Sequence, residues 1–378
     1  MKKWFKENLI YLFFLTFLVV VAYANSLNNV FLSDDLAEIV QNPNVGDLAH
    51  GISTYPFGFI RPLLYWVAYQ LGGLNPSFFR FINIFFHTGS VFLIFAILNQ
   101  LQSKKSALFV AAVFAVHPAI SEAVVWISGG SYPQYSFFLL LSFLFYILSS
   151  RRKFFYLLSS IFYLLSLMSH PVMPLGLFLV FPAFELTFGN LRKNWLKAIP
   201  FLLISIVYVF INLAAIPERT TTLQSTHYQE KGVDNLFLII PIAISSYFEL
   251  IFWPETLTLY HSELSFGPIN FAVRSISTLL FFVAIAITFV KNRKICFWLS
   301  FSLIALSPTL TPFRFNWIVA ERYLYLPILG ILTAVAILAE NYLKFLRSKL
   351  LIYTFFILII AALSIRTFVR NIDWKNED

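Results

Sequence analysis

Two adjacent carboxylates, Asp34 and Asp35, follow shortly after the first apolar stretch of the chain, in Phe31-Leu32-Ser33-Asp34-Asp35-Leu36-Ala37-Glu38. Neighbouring carboxylates at an interface repel each other and resist desolvation, so their presence calls for a cause. One cause is local. Ser33 or Asp34 can cap a helix, and Asp35 with Glu38 has capping-box spacing. The other is chemical, because an aspartate held near a membrane surface can take the proton of a hydroxyl that attacks a lipid-borne substrate. The two are compatible.

Further polar residues interrupt apolar sequence. Arg61-Pro62 follows Tyr55, Phe57 and Phe59, and its fork of donors suits a phosphate or a lipid headgroup. His117-Pro118 and Glu122 precede Trp126 and Gly129-Gly130, and a carboxylate in such apolar surroundings is costly unless it is paired or functional. In Glu321-Arg322-Tyr323-Leu324-Tyr325 the arginine can face an anion or pair with Glu321. His170, beside Pro171, is a turn residue or a ligand-binding one. His50, His87, His227 and His261 are scattered, with no metal-ligand spacing, so no metal set is read and a divalent metal has no motif behind it. No Walker loop or dinucleotide glycine fingerprint is present, and the single Cys296 allows neither an internal disulfide nor a thiolate metal site.

The elements that must carry these residues are membrane helices. A chain of 378 residues that is 59% hydrophobic and 12% charged cannot be water-soluble, which excludes soluble enzymes, disordered tails and DNA-binding proteins. Nucleic acid is therefore not an expected partner, and the net charge of +9 reports topology. Apolar stretches of spanning character fall at residues 9–24, 78–99, 107–127, 133–150, 154–169, 171–188, 198–216, 269–290, 296–313, 323–341 and 350–367. Lys2, Lys3 and Lys6 place the N-terminus in the cytoplasm, and the Lys104, Arg151–Lys153 and Arg192–Lys197 clusters alternate accordingly. A full crossing at 233–253 would move the clusters Lys291–Lys294 and Lys344–Lys349 outside, so that stretch reads as re-entrant or interfacial. The expectation is an all-α polytopic integral membrane protein with about eleven transmembrane helices, a long first extracytoplasmic loop at 25–77 and an external tail at 369–378. The first 24 residues read as an uncleaved helix rather than a signal peptide. Nearly all carboxylates except Glu7, Glu185 and Glu340 then lie outside.

Several segments in order resemble the GT-C fold glycosyltransferases that use polyprenyl- or dolichyl-phosphate sugars, in particular the membrane module of the transmembrane TPR-containing O-mannosyltransferases. They are Tyr23-Ala24-Asn25-Ser26-Leu27 with Phe31–Asp35 and Asn42-Pro43; Arg61-Pro62-Leu63; Leu71–Pro76 with Asn83 and His87; Phe114–Pro118 with Ser121–Val124 and Trp126–Gly129; and Ala320–Pro327. The resemblance implies inverting transfer of one sugar, usually mannose, from a lipid phosphate to a protein or glycan hydroxyl on the extracytoplasmic face. It puts Asp34 and Asp35 on the family's acidic pair, Glu122 on its second acidic position and Arg322 on its last arginine motif. Arg61, His117, His170, Glu321 and Tyr325 join these as substrate-binding candidates. Two departures stand out: Ser169-His170-Pro171 replaces a common Ser-Lys-Glu turn, and relatives continue past Trp374 into TPR repeats. Richness in Phe, Ile, Leu, Lys and Asn fits an AT-rich bacterial genome, hence an undecaprenyl-type carrier, the plasma membrane and a cell-envelope acceptor. A lipid-linked sugar flippase or transporter and a non-catalytic scaffold are the competing classes; transport would bury polar residues along a mid-bilayer path.

Overall fold

The computed structural model describes residues 2–213, 236–259, 261, 267–310, 317–343 and 349–376. His227, the first residues of the 233–253 stretch and the Lys344–Arg347 charges lie outside the described residues. The chain is an all-α polytopic membrane protein, with no strand among the described residues. Among the described residues, six helices are long and apolar enough to cross a membrane. The broken pair Lys104–Val116 and Pro118–Val125, bent by 60°, makes a seventh, and Lys153–Ser169, Leu175–Thr187, Phe237–Phe252 and Ile328–Tyr342 are shorter apolar helices. The break corrects the expectation of one continuous helix at 107–127. Pro118 lacks an N–H and pushes His117 into extended backbone, so the helix stops and restarts.

The chain forms two compact units, residues 1–170 with 335–378, and residues 171–334. The first contains α1 (Lys2–Tyr23), α2 (Leu48–Thr54), α3 (Ile60–Gly72), α4 (Pro76–Leu101), α5 (Lys104–Val116), α6 (Ser121–Val125), α7 (Ser131–Leu148) and α8 (Lys153–Ser169), together with the C-terminal helix Lys349–Arg370. Local sequence sets their starts: Asn75 caps α4 ahead of Pro76, Ser103 caps α5 and Asp47 caps α2. Small polar residues bring α7 and α8 together. The Ser142 hydroxyl donates to the Ser159 carbonyl and Ser159 returns the bond to the Ser142 carbonyl, while Ser166 donates to the Tyr135 carbonyl. This antiparallel pair puts the start of α7 and the end of α8 at one end of the unit.

The loop between α1 and α4 is folded. A π-helical turn at Leu36–Val40 buries Ile39 in a cluster with Ala68, Phe79 and Ile127, onto which Phe31, Tyr65 and Tyr69 pack. One apolar anchor thus fixes the acidic turn to α3, α4 and the segment before α7.

In the second unit, the helix Leu236–Phe252 packs on Pro268–Lys291. Arg274 reaches Ser245, Ser246, Glu249 and Asn270, and Thr278 bonds the Pro241 carbonyl. Contacts ascending one helix descend the other, so the 236–252 segment runs antiparallel along its neighbour.

Candidate active site

Ser33 adopts φ 54, a left-handed conformation that is uncommon outside glycine and worth attention beside candidate catalytic groups. The two acids that follow it have opposite environments. Asp34 is exposed, while Asp35 is 1% exposed. Asp35 Oδ1 accepts the Ser128 backbone N–H at 2.8 Å and the Ser128 hydroxyl, and Oδ2 accepts the Leu32 N–H at 3.2 Å. Asp35 does not cap the turn that it begins, which corrects the capping-box expectation. Its oxygens instead tie together segments 93 residues apart.

Burial pushes the Asp35 carboxyl above its ordinary range; the Ser128 hydroxyl, the Leu32 and Ser128 amides and the Arg80 charge pull it back only in part. The folded chain therefore holds this proton more tightly than the unfolded chain. That contribution is complete below the ordinary carboxylate pKa and is lost as pH rises through the raised one. In thermal unfolding in detergent, wild type is expected to lose stability relative to Asp35→Asn as pH increases across this window. Parallel pH dependences would remove the linkage.

Glu38 lies one turn on and serves a purpose other than capping. Its Oε2 pairs with Arg61 Nη2 and lies 3.4 Å from the Tyr65 hydroxyl and 3.3 Å from that of Ser128. Arg61 also donates through Nε to Tyr65 at 3.0 Å and through Nη2 to the Ser128 carbonyl at 3.4 Å. Burial holds the Tyr65 phenol above its usual range, so it stays a donor toward Glu38. Arg61 is thus no isolated headgroup contact. It is half-buried, oriented by a carboxylate and a phenol, and under the influence of the Asp34 charge.

Beneath this group Arg80 is 1% exposed and donates only to backbone: Val125 at 2.7 Å, Leu27 at 3.1 Å, Asn29 at 2.8 Å and Val30 at 3.1 Å. Asn83 donates to the Trp126 and Ile127 carbonyls, each at 3.2 Å, and packs where a Cβ on Gly130 would stand. The 125–130 segment is therefore fixed on α4 and presents Ser128 to both acids. Sequence reading misses Glu38, Tyr65, Arg80 and Ser128 as site residues. The available signal was an arginine and an asparagine three residues apart in an apolar helix.

The other candidates distribute as follows. His117 is buried, and its Nδ1 accepts the Ala119 N–H at 3.3 Å across the helix break. Glu122 is fully buried in α6. His170 ends α8 and packs its ring 5.0 Å from Tyr132 and 5.8 Å from Tyr135, at the start of α7. The first unit thus holds Asp34, Asp35, Arg61, His117, Glu122 and His170. The second unit holds Glu321, Arg322 and Tyr325, all buried in or just after the short turn Glu321–Leu324. There Arg322 lies 5.2 Å over the Tyr323 ring, and Glu321 Oε1 is 3.7 Å from His261 Nε2, a proximity the sequence does not signal. Among the described residues no group of three or more His, Cys, Asp or Glu is placed to hold a metal ion.

These features define a polytopic membrane protein with a folded acidic loop between its first two long apolar helices. No known family profile matches the chain. It is similar to Protein O-mannosyl-transferase F38B6.6 of Caenorhabditis elegans, 23% identical over 95% of this chain and 55% of that protein. It is also similar to Protein O-mannosyl-transferase Tmtc1 of Drosophila melanogaster, 30% identical over 30% of this chain and 15% of the relative. Protein O-mannosyl-transferase TMTC4 of Homo sapiens is 31% identical over 35% of this chain and 22% of its own length. The chain spans about half, or less, of the length of these relatives.

Proposed function

We propose that this chain is a membrane glycosyltransferase that moves one sugar, mannose or similar, from a polyprenyl-phosphate carrier to an acceptor hydroxyl by a single inverting displacement. The observation that carries this reading is the division of labour in the acidic pair: a buried, triply bonded Asp35 anchors the turn that presents an exposed Asp34 beside Arg61. Similarity to proteins named O-mannosyl-transferases supports the reaction class and a protein acceptor.

In this mechanism Asp34 takes the acceptor proton and the hydroxyl oxygen attacks the anomeric carbon. The bond from that carbon to the phosphate oxygen breaks, and the prenyl phosphate departs with the electron pair from the opposite face. A phosphate leaves without protonation, so a single base suffices, unlike the two carboxylates of glycosidases. Positive charge must meet the developing phosphate. Arg61, held by Glu38 and Tyr65, supplies it in the first unit. Glu122, His117 and His170 of the same unit are the candidates for contacts to sugar or acceptor hydroxyls, while Glu321, Arg322 and Tyr325 of the second unit are given no part in this step.

The topology that goes with this reading is a GT-C-like module with about eleven crossings, a cytoplasmic N-terminus and the acidic loop outside, in a plasma membrane. The 236–252 helix is then a re-entrant arm lying along its neighbour.

Proteoliposomes containing the purified chain test the proposal. With labelled polyprenyl-phosphate mannose and a hydroxyl-bearing peptide, label is expected to move to the peptide as prenyl phosphate is released in equal amount. Movement of intact lipid-linked sugar between leaflets without transfer would assign the chain to transport instead.

A further inference from the structure

The C-terminal end of the chain is bound to the acidic loop by buried polar side chains more than 340 residues away in sequence. After the helix Lys349–Arg370 comes a single 3₁₀ turn, Asn371–Trp374. Asn371 is fully buried, and its Nδ2 donates to the Ala22 carbonyl at 2.7 Å and to Asn25 Oδ1 at 2.8 Å. Asn29 Nδ2 returns a bond to the Asn371 carbonyl at 2.8 Å, and Asn25 Nδ2 donates to the Phe368 carbonyl at 2.8 Å. These bonds take hold of the chain just where it leaves α1 and enters the acidic loop.

The end of the helix and the turn after it grip two other segments that carry candidate residues. The Thr367 hydroxyl, fully buried, donates to the Val116 carbonyl at 2.7 Å, immediately before His117 and the break leading to Glu122. Trp374 stacks on Trp126, with ring centroids 6.3 Å apart and planes 21° from parallel. The Trp126 indole N–H donates to the Leu32 carbonyl at 3.4 Å, and the Leu32 N–H donates to Asp35. A continuous line of contacts therefore runs from Trp374 through Trp126 and Leu32 to the Asp35 carboxylate. Arg370 stiffens the turn, bonding Asp373 at 2.7 Å while lying 5.6 Å over the Trp374 ring.

Buried amides and hydroxyls are unfavourable unless their partners are specific. An apolar chain that needed only to end a membrane helix would place none of them here. We propose that the turn Asn371–Trp374 is a strap that sets the position of the acidic loop, with Asn371 and Trp374 acting as positioning residues for Asp34 through the Trp126 and Asn29 contacts. The part of this inference that concerns turnover rests on the transferase reading; the part that concerns loop order does not.

Hydrogen exchange and sugar transfer, measured on the same preparations, separate the two. In Trp374→Ala and Asn371→Ala, exchange of amides in residues 27–42 is expected to rise about tenfold or more, since local opening rather than global unfolding controls it. Transfer kcat is expected to fall about tenfold while KM for the lipid-linked sugar stays within about twofold, because displacement of a catalytic group costs turnover more than donor binding. Trp374→Phe keeps a stacked ring and restores both. Should Trp374→Ala not fold, Asn29→Ser, which removes a single bond to Asn371, carries the test with the same expectations. Unchanged exchange in a folded variant overturns the strap, and raised exchange with undiminished transfer overturns the positioning role of Asn371 and Trp374. If wild type transfers no sugar, the functional reading fails and the exchange arm alone decides: faster exchange upholds the strap and unchanged exchange rejects it.

Discussion

Asp34→Asn is expected to lower the rate of sugar transfer by about 10²- to 10⁴-fold, the usual contribution of a positioned general base. Thermal stability should stay within about 0.5 kcal/mol of wild type, as for other surface substitutions. The expectation follows from geometry rather than from the mere presence of two acids. Asp34 is exposed and makes no side-chain hydrogen bond among the described residues, so its replacement removes only its charge near Arg61. Asp35 has both oxygens engaged, and its substitution acts on the turn, read through the pH dependence of stability. If Asp34→Asn unfolds the chain or transfers sugar at the wild-type rate, the assignment of roles within the pair is wrong.

Arg80→Met is expected to be the most destabilising single substitution in the first unit, by about 3–5 kcal/mol, because it leaves buried acceptors without donors. Four backbone carbonyls, of Leu27, Asn29, Val30 and Val125, converge on this guanidinium. They belong to the entry of the acidic loop and to the segment that delivers Ser128, so the two halves of the site lose their common support together. Arg80→Lys should recover only part of the loss, since an ammonium lacks the planar fork that reaches several acceptors at once. Denaturation in mixed detergent and urea, followed by tryptophan emission, provides the measurement. A midpoint for Arg80→Met equal to that of wild type would show that the carbonyls find other donors.

Much of the architecture is legible in the sequence because apolar length and capping residues act locally. The stretches read as spans at 9–24, 78–99 and 133–150 correspond to the helices Lys2–Tyr23, Pro76–Leu101 and Ser131–Leu148. Even the break at His117-Pro118 was within reach, since a residue before proline avoids helical backbone. The site was legible only in part. Adjacent aspartates read naturally as a matched pair, yet one non-glycine residue in left-handed conformation, Ser33, precedes a turn that leaves one of them exposed and the other buried. Glu38 looks like a cap partner at its spacing, whereas the contact it makes is with Arg61, 23 residues on, and Ser128 meets Asp35 across 93 residues. Arg80 is hidden by its surroundings, because an arginine near the end of an apolar helix reads as a snorkelling side chain until its carbonyl partners are known. Long-range polar contacts of this kind leave no periodic trace.

The most direct test is single-turnover transfer from labelled polyprenyl-phosphate mannose in proteoliposomes at saturating donor, comparing wild type with Asp34→Asn. With Asp34 as the base, transfer to the acceptor and release of prenyl phosphate both fall in Asp34→Asn, in equal proportion, while the donor still binds. An Asp34→Asn variant that transfers sugar at the wild-type rate would contradict the account.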